Sequence, residues 1–506
     1  MSASTLAARP MSASSDQVER ELKLGAWPEF ALPDLTGASD GLVAGAASRQ
    51  ELDAVYFDTP ELDLLRRGVT LRFRRGEPPA DVWTVKLPSD AAAHGLARRE
   101  ITVPGGREAV PAQFADLTRG WALGRALRPI ARVRTVRSNV PLCDASGNVL
   151  ATLDDDAVTV LRGRHVLARF RELEVELVGD APAAILAAAD ERLRAAGAEK
   201  VAQIPKLSRA LGRAAAQPWQ LAPVELSARA TMAEAANARL VEWLGELVDA
   251  HALVVLGVPG SAGGALKALA NLRAGLAAYA DLLAEPPPKS VTDNIAWLEP
   301  QLALVAELDA LLTRLAEQRP AGASGVTARV DRARLRAHTA LVRALRDRRY
   351  GALLARLAAV AGAAAPKSGP GHRRVAASGR KLVRASWRTL RDERAAKGGE
   401  LDPAALDSSL GRLGAVLELV RTAAGSDDAT AALDGVRALR AASAEHVESQ
   451  QLVRRLRGLA RRSDADESWA CGVLAGRELA RAEASQARFR EAWEQLAPKS
   501  TWSWAG

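Results

Sequence analysis

The chain is poor in cysteine, in aromatic residues and in long apolar runs, and each shortage excludes something. Only Cys143 and Cys471 occur in 506 residues. Two cysteines so far apart supply neither a disulfide framework nor metal-ligand spacing, so they suit a reducing compartment. Aromatic residues make up 4 %, and no Lys/Arg run is interleaved with them, as a binder of single-stranded nucleic acid would require. No stretch approaches the roughly 20 apolar residues that span a bilayer. Residues 1–15, MSASTLAARPMSASS, lack the apolar segment of a secretory signal and read as a disordered tail. A soluble, cytoplasmic protein with no membrane partner is expected.

What remains is an ordinary globular composition with an excess of positive charge. Apolar residues make up 48 % and charged residues 25 %, and the formal net charge is +9. The length suggests about two to four domains. The basic balance points to anionic partners. Nucleic acid is only a secondary reading, because net charge alone supports it.

Two periods divide the chain. In the first part apolar and polar residues alternate over Val18–Lys23, Val69–Arg75, Val82–Leu87, Arg98–Val103, Ala131–Val140, Val149–Leu153 and Val166–Val178, with turn residues such as Asp144–Asn148 and Asp154–Asp156 between them. Short helices are predicted at Glu61–Arg67 and Pro182–Ala196, each followed by a glycine. Many strands with few crossover helices predict an antiparallel sheet or barrel over 16–215. Residues 216–226, which include QPWQLAP, read as a linker. Beyond it Leu240, Trp243, Leu244, Leu247 and His251 follow helical spacing. Similar segments predict a bundle of about eight helices over 227–500. The expected fold class is α+β, with a barrel followed by an all-α domain.

The chemistry concentrates in the first domain. In Glu19-Arg20-Glu21-Leu22-Lys23 the two carboxylates and the ammonium share one strand face. An isolated pattern of this kind is ordinarily a solvated edge. Here it recurs: Arg72 with Arg74, Lys86, Arg98 with Glu100, Arg132 with Arg134, and Glu172, Glu174 and Glu176, with largely apolar residues at the alternate positions. A small barrel could point these charges inward. Burying so many is prohibitive unless they are paired or ligated. Basic residues that clamp a polyanion, beside acidic residues that hold Mg²⁺ or Mn²⁺ against phosphate oxygens, satisfy that demand.

Glu19-x-Glu21-x-Lys23 resembles the signature of the CYTH superfamily, the triphosphate tunnel metalloenzymes. Tyr56-Phe57-Asp58-Thr59-Pro60, Gly68–Arg74, Thr84-Val85-Lys86, Arg98-Arg99-Glu100, Leu153-Asp154, Glu172–Glu176 and Lys206–Arg209 resemble further family segments, in the family's order. The resemblance implies an eight-stranded antiparallel tunnel around a triphosphate. It implies Lys23, Arg72, Arg74, Lys86, Arg98, Arg134, Lys206 and Arg209 as phosphate-binding residues, with Arg132 or Arg137 as alternatives to Arg134. It implies Glu19, Glu21, Asp154, Glu172, Glu174 and Glu176 as metal-binding residues, in a register that could shift by two. Glu19, Glu21, Lys23 and Glu100 are the candidate catalytic groups, Glu100 either as a base or as an orienting group for Arg98 or Arg72. The family holds inorganic triphosphatases, thiamine-triphosphatases, adenylate cyclases and RNA-capping triphosphatases. Ala13–Gln17 lacks the His-Phe pair of the cyclase branch, and inorganic triphosphate is the expected substrate.

Residues 227–500 resemble a CHAD domain, a helical module linked to polyphosphate binding. Asp347-Arg348-Arg349-Tyr350, Trp297–Leu312 and Ala470–Trp493 carry that likeness. Gly263 and Ala404 stand where the module's histidines are expected, and Asn271-Leu272-Arg273 and Arg412-Leu413-Gly414 where its basic runs are expected. The likeness therefore implies a degenerate module with weak polyphosphate binding. His251 is expected in a core, and His338, His372 and His446 at the surface. Arg380, Arg384, Arg388 and Arg391 form one basic stripe, either a solvated helix face or a polyanion-binding rim.

Overall fold

The computed structural model describes residues 20–76, 81–87, 100–201, 206–223, 225–396, 402–424 and 427–505. They fall into two units that divide between Trp219 and Gln220. Ten strands make one sheet in the first unit: β1 (Glu21–Ala26), β2 (Val43–Ala44), β3 (Ser48–Asp58), β4 (Thr70–Arg75), β5 (Val82–Lys86), β6 (Glu100–Pro104), β7 (Arg128–Cys143), β8 (Val149–Arg162), β9 (His165–Leu177) and β10 (Glu199–Lys200). The order across the sheet is β10-β1-β9-β8-β7-β3-β4-β5-β6, with β2 against β7. Every pairing is antiparallel.

The expected eight-stranded closed barrel is thereby corrected. The sheet has ten strands and does not close, because β1 bonds β9 on one side and β10 on the other, while β6 forms the far edge among the described residues. β2 and β10 are two residues each, too short to carry an alternation legible in sequence, and β3, with eleven residues, was not among the expected strands. The predicted short helices correspond to α1 (Asp63–Arg66) and α3 (Ala184–Ala195). Two more were not anticipated, α2 (Ala112–Thr118) and α4 (Lys206–Leu211). Neither is long enough to display helical periodicity. The β7–β8 turn follows its chemistry: Asp144 Oδ1 accepts from Ser146 N and Asn148 N, and Gly147 takes φ 83°.

Alternation gives the sheet two unlike faces. On one, Leu24, Val140, Leu142, Leu153, Leu173 and Val175 are buried with Ile185, Ala189 and Leu193 of α3. Further along that face Phe57 and Phe73 pack on Trp83, with ring centroids 4.8 and 5.4 Å apart. The other face carries the charges. Across β8, β7 and β3, between the charged strands, part of that face is apolar instead, where Ala54, Tyr56, Ala131, Val133, Val158 and Val160 pack with Leu62, Leu65 and Leu207. α4 is therefore anchored against this face by Leu207, with Lys206 beside it.

The second unit contains nine helices among the described residues: α5 (Met232–Val255), α6 (Ser261–Ala278), α7 (Lys289–Gln318), α8 (Ala323–Arg346), α9 (Arg348–Ala361), α10 (Val375–Ala396), α11 (Pro403–Ala424), α12 (Asp427–Ala460) and α13 (Ala465–Leu496). The extra helix arises at Asp347, whose carboxylate accepts from Arg349 N at 2.8 Å and caps α9. Thr231 and Glu234 form a reciprocal capping box at the start of α5. His251 is buried and stacks on Tyr350. His338 and His446 are not surface groups: each is half-buried and meets a main-chain carbonyl, Val254 O at 2.7 Å and Ala482 O at 2.9 Å. His372 is exposed. No described helix is long and apolar enough to cross a membrane.

Trp83→Ala should destabilise the first unit by about 3–5 kcal/mol, since it empties the space between two aromatic rings. Trp27, 63 % exposed, should tolerate alanine within about 0.5 kcal/mol. Urea unfolding of the two variants checks the difference.

Candidate functional site

Register places the charged residues strand by strand on one face. Lys23 lies opposite Glu174, Glu21 opposite Glu176 and Gly25 opposite Glu172. Asp154 and Asp156 lie opposite Glu174 and Glu172 on one side, and opposite Asn139 and Arg137 on the other. On the remaining strands Tyr56 faces Arg72, Arg72 faces Thr84 and Lys86 faces Glu100. α4 adds Lys206 and Arg209.

These groups form two clusters. In the first, Lys23 Nζ stands 3.1 Å from Glu21 and 3.0 Å from Glu174. Lys206 Nζ meets Asp156, lies 3.1 Å from Glu174 and 3.6 Å from Glu172, and Arg209 lies 3.4 Å from Glu172. Arg137 meets Asp154 through Nη1, and Asn139 Nδ2 donates to Asp154 at 2.6 Å. The second cluster pairs Glu100 with Lys86 at 2.8 Å and with Arg72 at 3.7 Å, with Arg74 on the same strand face. Tyr56 links the two clusters electrostatically: burial opposes ionisation of its phenol, but Arg72, Lys206 and Arg74 draw it below the ordinary value. The side chains of Lys23, Arg72, Arg137 and Lys206 are only 16–18 % exposed. A flat solvated sheet would leave them open to water.

The charge balance there is tense. Burial works against ionisation of Glu174, but Lys206 and Lys23 outweigh it and hold the carboxyl well below the usual range. At Glu172 burial prevails, with Glu174 beside it, and pushes the carboxyl up to about 7. Burial also raises Asp154. Lys206, though buried, is raised because Glu174, Asp156 and Glu172 surround it. Acidic groups that resist ionisation beside others that do not are the electrostatic setting in which a cation is welcome.

Glu21, Asp154, Glu172 and Glu174 offer only hard oxygen donors, the chemistry that fits Mg²⁺ or Mn²⁺. Among the described residues no three acidic, histidine or cysteine side chains stand grouped as a ready metal site. Their carboxylates meet Lys23, Arg137, Lys206 and Arg209 instead. A cation would take the place of those partners.

Among the residues expected from sequence, the face brings together Glu21, Lys23, Arg72, Arg74, Lys86, Glu100, Asp154, Glu172, Glu174, Lys206 and Arg209. Glu176 shares that face at an exposed position. Glu19 and Arg98 lie outside the described residues. Arg134 sits on the opposite face, exposed and paired in register with Asp53. Arg132 shares that opposite face and pairs with Asp53, so Arg137 is the arginine of β7 that reaches the charged face. Asp156, Asn139 and Tyr56 were missed. Asp154–Asp156, expected as a turn, instead continue β8, which puts Asp156 on the same face as Asp154.

Replacing Arg137 by alanine should cost about 3–5 kcal/mol, because it strips a partner from the buried Asp156. Arg134→Ala should stay within about 0.5 kcal/mol. Chemical denaturation of both variants separates the two faces.

Residues 17–210 match the CYTH domain family and residues 242–408 the CHAD domain family. An uncharacterized protein of Mycobacterium tuberculosis is 33 % identical over 218 residues, which cover 40 % of this chain and 42 % of that one. The chain thus spans less than half the length of this curated relative. Solved structures similar to it include the CHAD domain from the plant Ricinus communis, at 20 % identity and TM-score 0.45, covering 55 % of this chain and 96 % of that one. Another is a putative adenylyl cyclase from Hippeastrum with a dominant triphosphatase activity, at 16 % identity and TM-score 0.20, covering 38 % and 93 %. Both are distant likenesses. The chain therefore carries a CYTH domain at residues 17–210 and a CHAD domain at residues 242–408.

Proposed function

We propose that the CYTH domain hydrolyses inorganic triphosphate to diphosphate and phosphate with the help of Mg²⁺ or Mn²⁺. The observation that carries this reading is the single sheet face on which seven basic side chains, four of them well shielded, stand together with a set of carboxylates. Triphosphate with a divalent cation presents the complementary pattern: oxyanions for the bases and a cation for the acids.

Each residue then has a task. Lys23, Arg72, Arg74, Lys86, Arg137, Lys206 and Arg209 bind the phosphate oxygens and stabilise charge that builds on the leaving diphosphate. Glu21, Asp154, Glu172 and Glu174 would hold the cation, which when bound neutralises phosphate charge and activates water. Water adds to the terminal phosphorus as the bridging P–O bond breaks, and the products share its hydrogens. Glu100 lies between Lys86 and Arg72, so it orients the clamp rather than acting as the base. Free triphosphate is favoured over ATP or thiamine triphosphate because the chain joins a CYTH to a CHAD domain and Ala13–Gln17 lacks the His-Phe pair of the cyclase branch.

Phosphate release should be faster from triphosphate than from ATP at matched free Mg²⁺, and EDTA should abolish it. Arg74→Ala should lower kcat/KM by about 10- to 100-fold, the loss of one charged contact, and Lys at this position should recover only part of it. Faster turnover of ATP, or activity that survives EDTA, would overturn the assignment.

For the CHAD domain we propose weak polyphosphate binding. Several arginines near its expected basic runs are internally paired: Arg273 with Glu299 at 2.9 Å, Arg412 with Glu393 at 2.6 Å, and Arg421 and Arg437 with Glu418 at 2.8 and 2.5 Å. Arg380, Arg384, Arg388 and Arg391 are exposed along α10, although Arg384 also donates to Ala505 O at 2.6 Å. Long-chain polyphosphate titrated into the full chain at two salt concentrations should show weak, salt-sensitive binding that falls when Arg380, Arg388 and Arg391 become alanine. Tight binding at physiological salt that ignores those substitutions would place the contact elsewhere.

A further inference from the structure

Asp156 has no task in the reading above, yet it is the most deeply buried carboxylate of the charged face, with 0 % of its side chain exposed. Both of its oxygens are committed. Oδ1 accepts from Arg137 Nε and Oδ2 from Arg137 Nη2, each at 2.7 Å, and Oδ2 also accepts from Lys206 Nζ. Asp154, two residues earlier on the same face, meets the remaining edge of the guanidinium, at Nη1. Glu174 also contacts both cations, but at 3.5 and 3.1 Å, and it is shared with Lys23.

These contacts divide the acids into two kinds. Glu21, Asp154, Glu172 and Glu174 line the face as candidates for the cation. Asp156 lies beneath, closed off by a two-point fork and an ammonium. A guanidinium held by both atoms of one edge has a fixed plane, so its other edge is aimed. Arg137 and Lys206 come from β7 and α4, and both side chains are long. Holding them in place before a ligand arrives removes much of the ordering cost from binding.

We propose that Asp156 is a positioning residue of the triphosphate site: it grips Arg137 and Lys206 so that Arg137 Nη1, now on Asp154, and the Lys206 protons now on Glu172 and Glu174 can pass to phosphate oxygens. The inference rests on the triphosphate reading of this face. It assigns Asp156 neither to the cation nor to the reacting atoms.

The test uses the full chain and two separate titrations: tripolyphosphate in EDTA by calorimetry, and Mn²⁺ alone by electron paramagnetic resonance. Asp156→Asn keeps the size and one acceptor but loses the charge. It should weaken tripolyphosphate by about 10- to 100-fold, the loss of a charge-assisted anchor, while Mn²⁺ affinity stays within about twofold, since its proposed ligands are untouched. Asp154→Asn should weaken Mn²⁺ instead. Arg137→Lys supplies the same reading should Asp156→Asn fail to fold: it keeps the charge, loses the fork, and should cost about tenfold in tripolyphosphate affinity. A folded Asp156→Asn protein with unchanged tripolyphosphate affinity overturns the inference, as does one whose Mn²⁺ affinity falls as far as that of Asp154→Asn. If Asp156→Asn does not fold, unchanged affinity in Arg137→Lys overturns it. A wild-type chain that binds no tripolyphosphate overturns the triphosphate reading and this inference with it.

Discussion

The N-terminal unit is organised around keeping opposite charges together, out of water, on one face of a β-sheet. A buried ion must be paired or it will not be buried, and here the pairs cross from strand to strand: Lys23 to Glu174, Arg137 to Asp156, Lys86 to Glu100. Everything else in the unit serves that face. The apolar side of the sheet supplies the core, Leu207 pins α4 so that Lys206 can reach inward, and the apolar residues around Tyr56 separate the two charged clusters. The free protein thus partners each class of charge with the other, and a ligand carrying both a cation and several oxyanions can satisfy the two classes separately.

The two halves use charge differently. In the sheet the bases gather on one sheltered surface. In the helical bundle some of them form pairs that tie helices together, as Arg314 with the buried Glu478 and Arg455 with Glu307. The +9 net charge therefore misrepresents both, since it neither locates the sheltered cluster nor reveals the internal pairing around Glu418.

Much of this was legible in sequence because strand period is unambiguous when one face is uniformly charged. Arg72 with Arg74, and Glu172 with Glu174, could be assigned to a common surface from spacing alone. β7 defeated that logic. Arg132, Arg134 and Arg137 fall on both parities of a strand whose two faces each carry Val and Arg, so only the hydrogen-bonded register with β3 and β8 distinguishes Arg137. Sheet closure was equally hidden, because it turns on whether β1 has a free edge, and that edge is taken by two residues, Glu199 and Lys200. The helical half was readable where apolar spacing runs unbroken, as from Leu240 to His251, and misread where the cap Asp347 splits one expected helix in two and where a histidine's partner is a distant carbonyl, as at His338 and His446.

The pairing of β1 with β9 also has a kinetic meaning. β1 opens the described sheet in sequence and β9 nearly ends its run of long strands, so Lys23 and Glu174 come together only when almost the whole unit has collapsed. Contacts this remote carry a larger loop-closure cost than the local hairpins β7–β8 and β8–β9, which favours the hairpins forming first. In the interval β9 presents an open hydrogen-bonding edge. Glu172, Glu174 and Glu176 stud it with negative charge, a device that discourages pairing with a foreign strand. The carboxylates proposed to hold a cation would then also guide assembly, disfavouring an acidic foreign strand while Glu174 draws in Lys23 of β1.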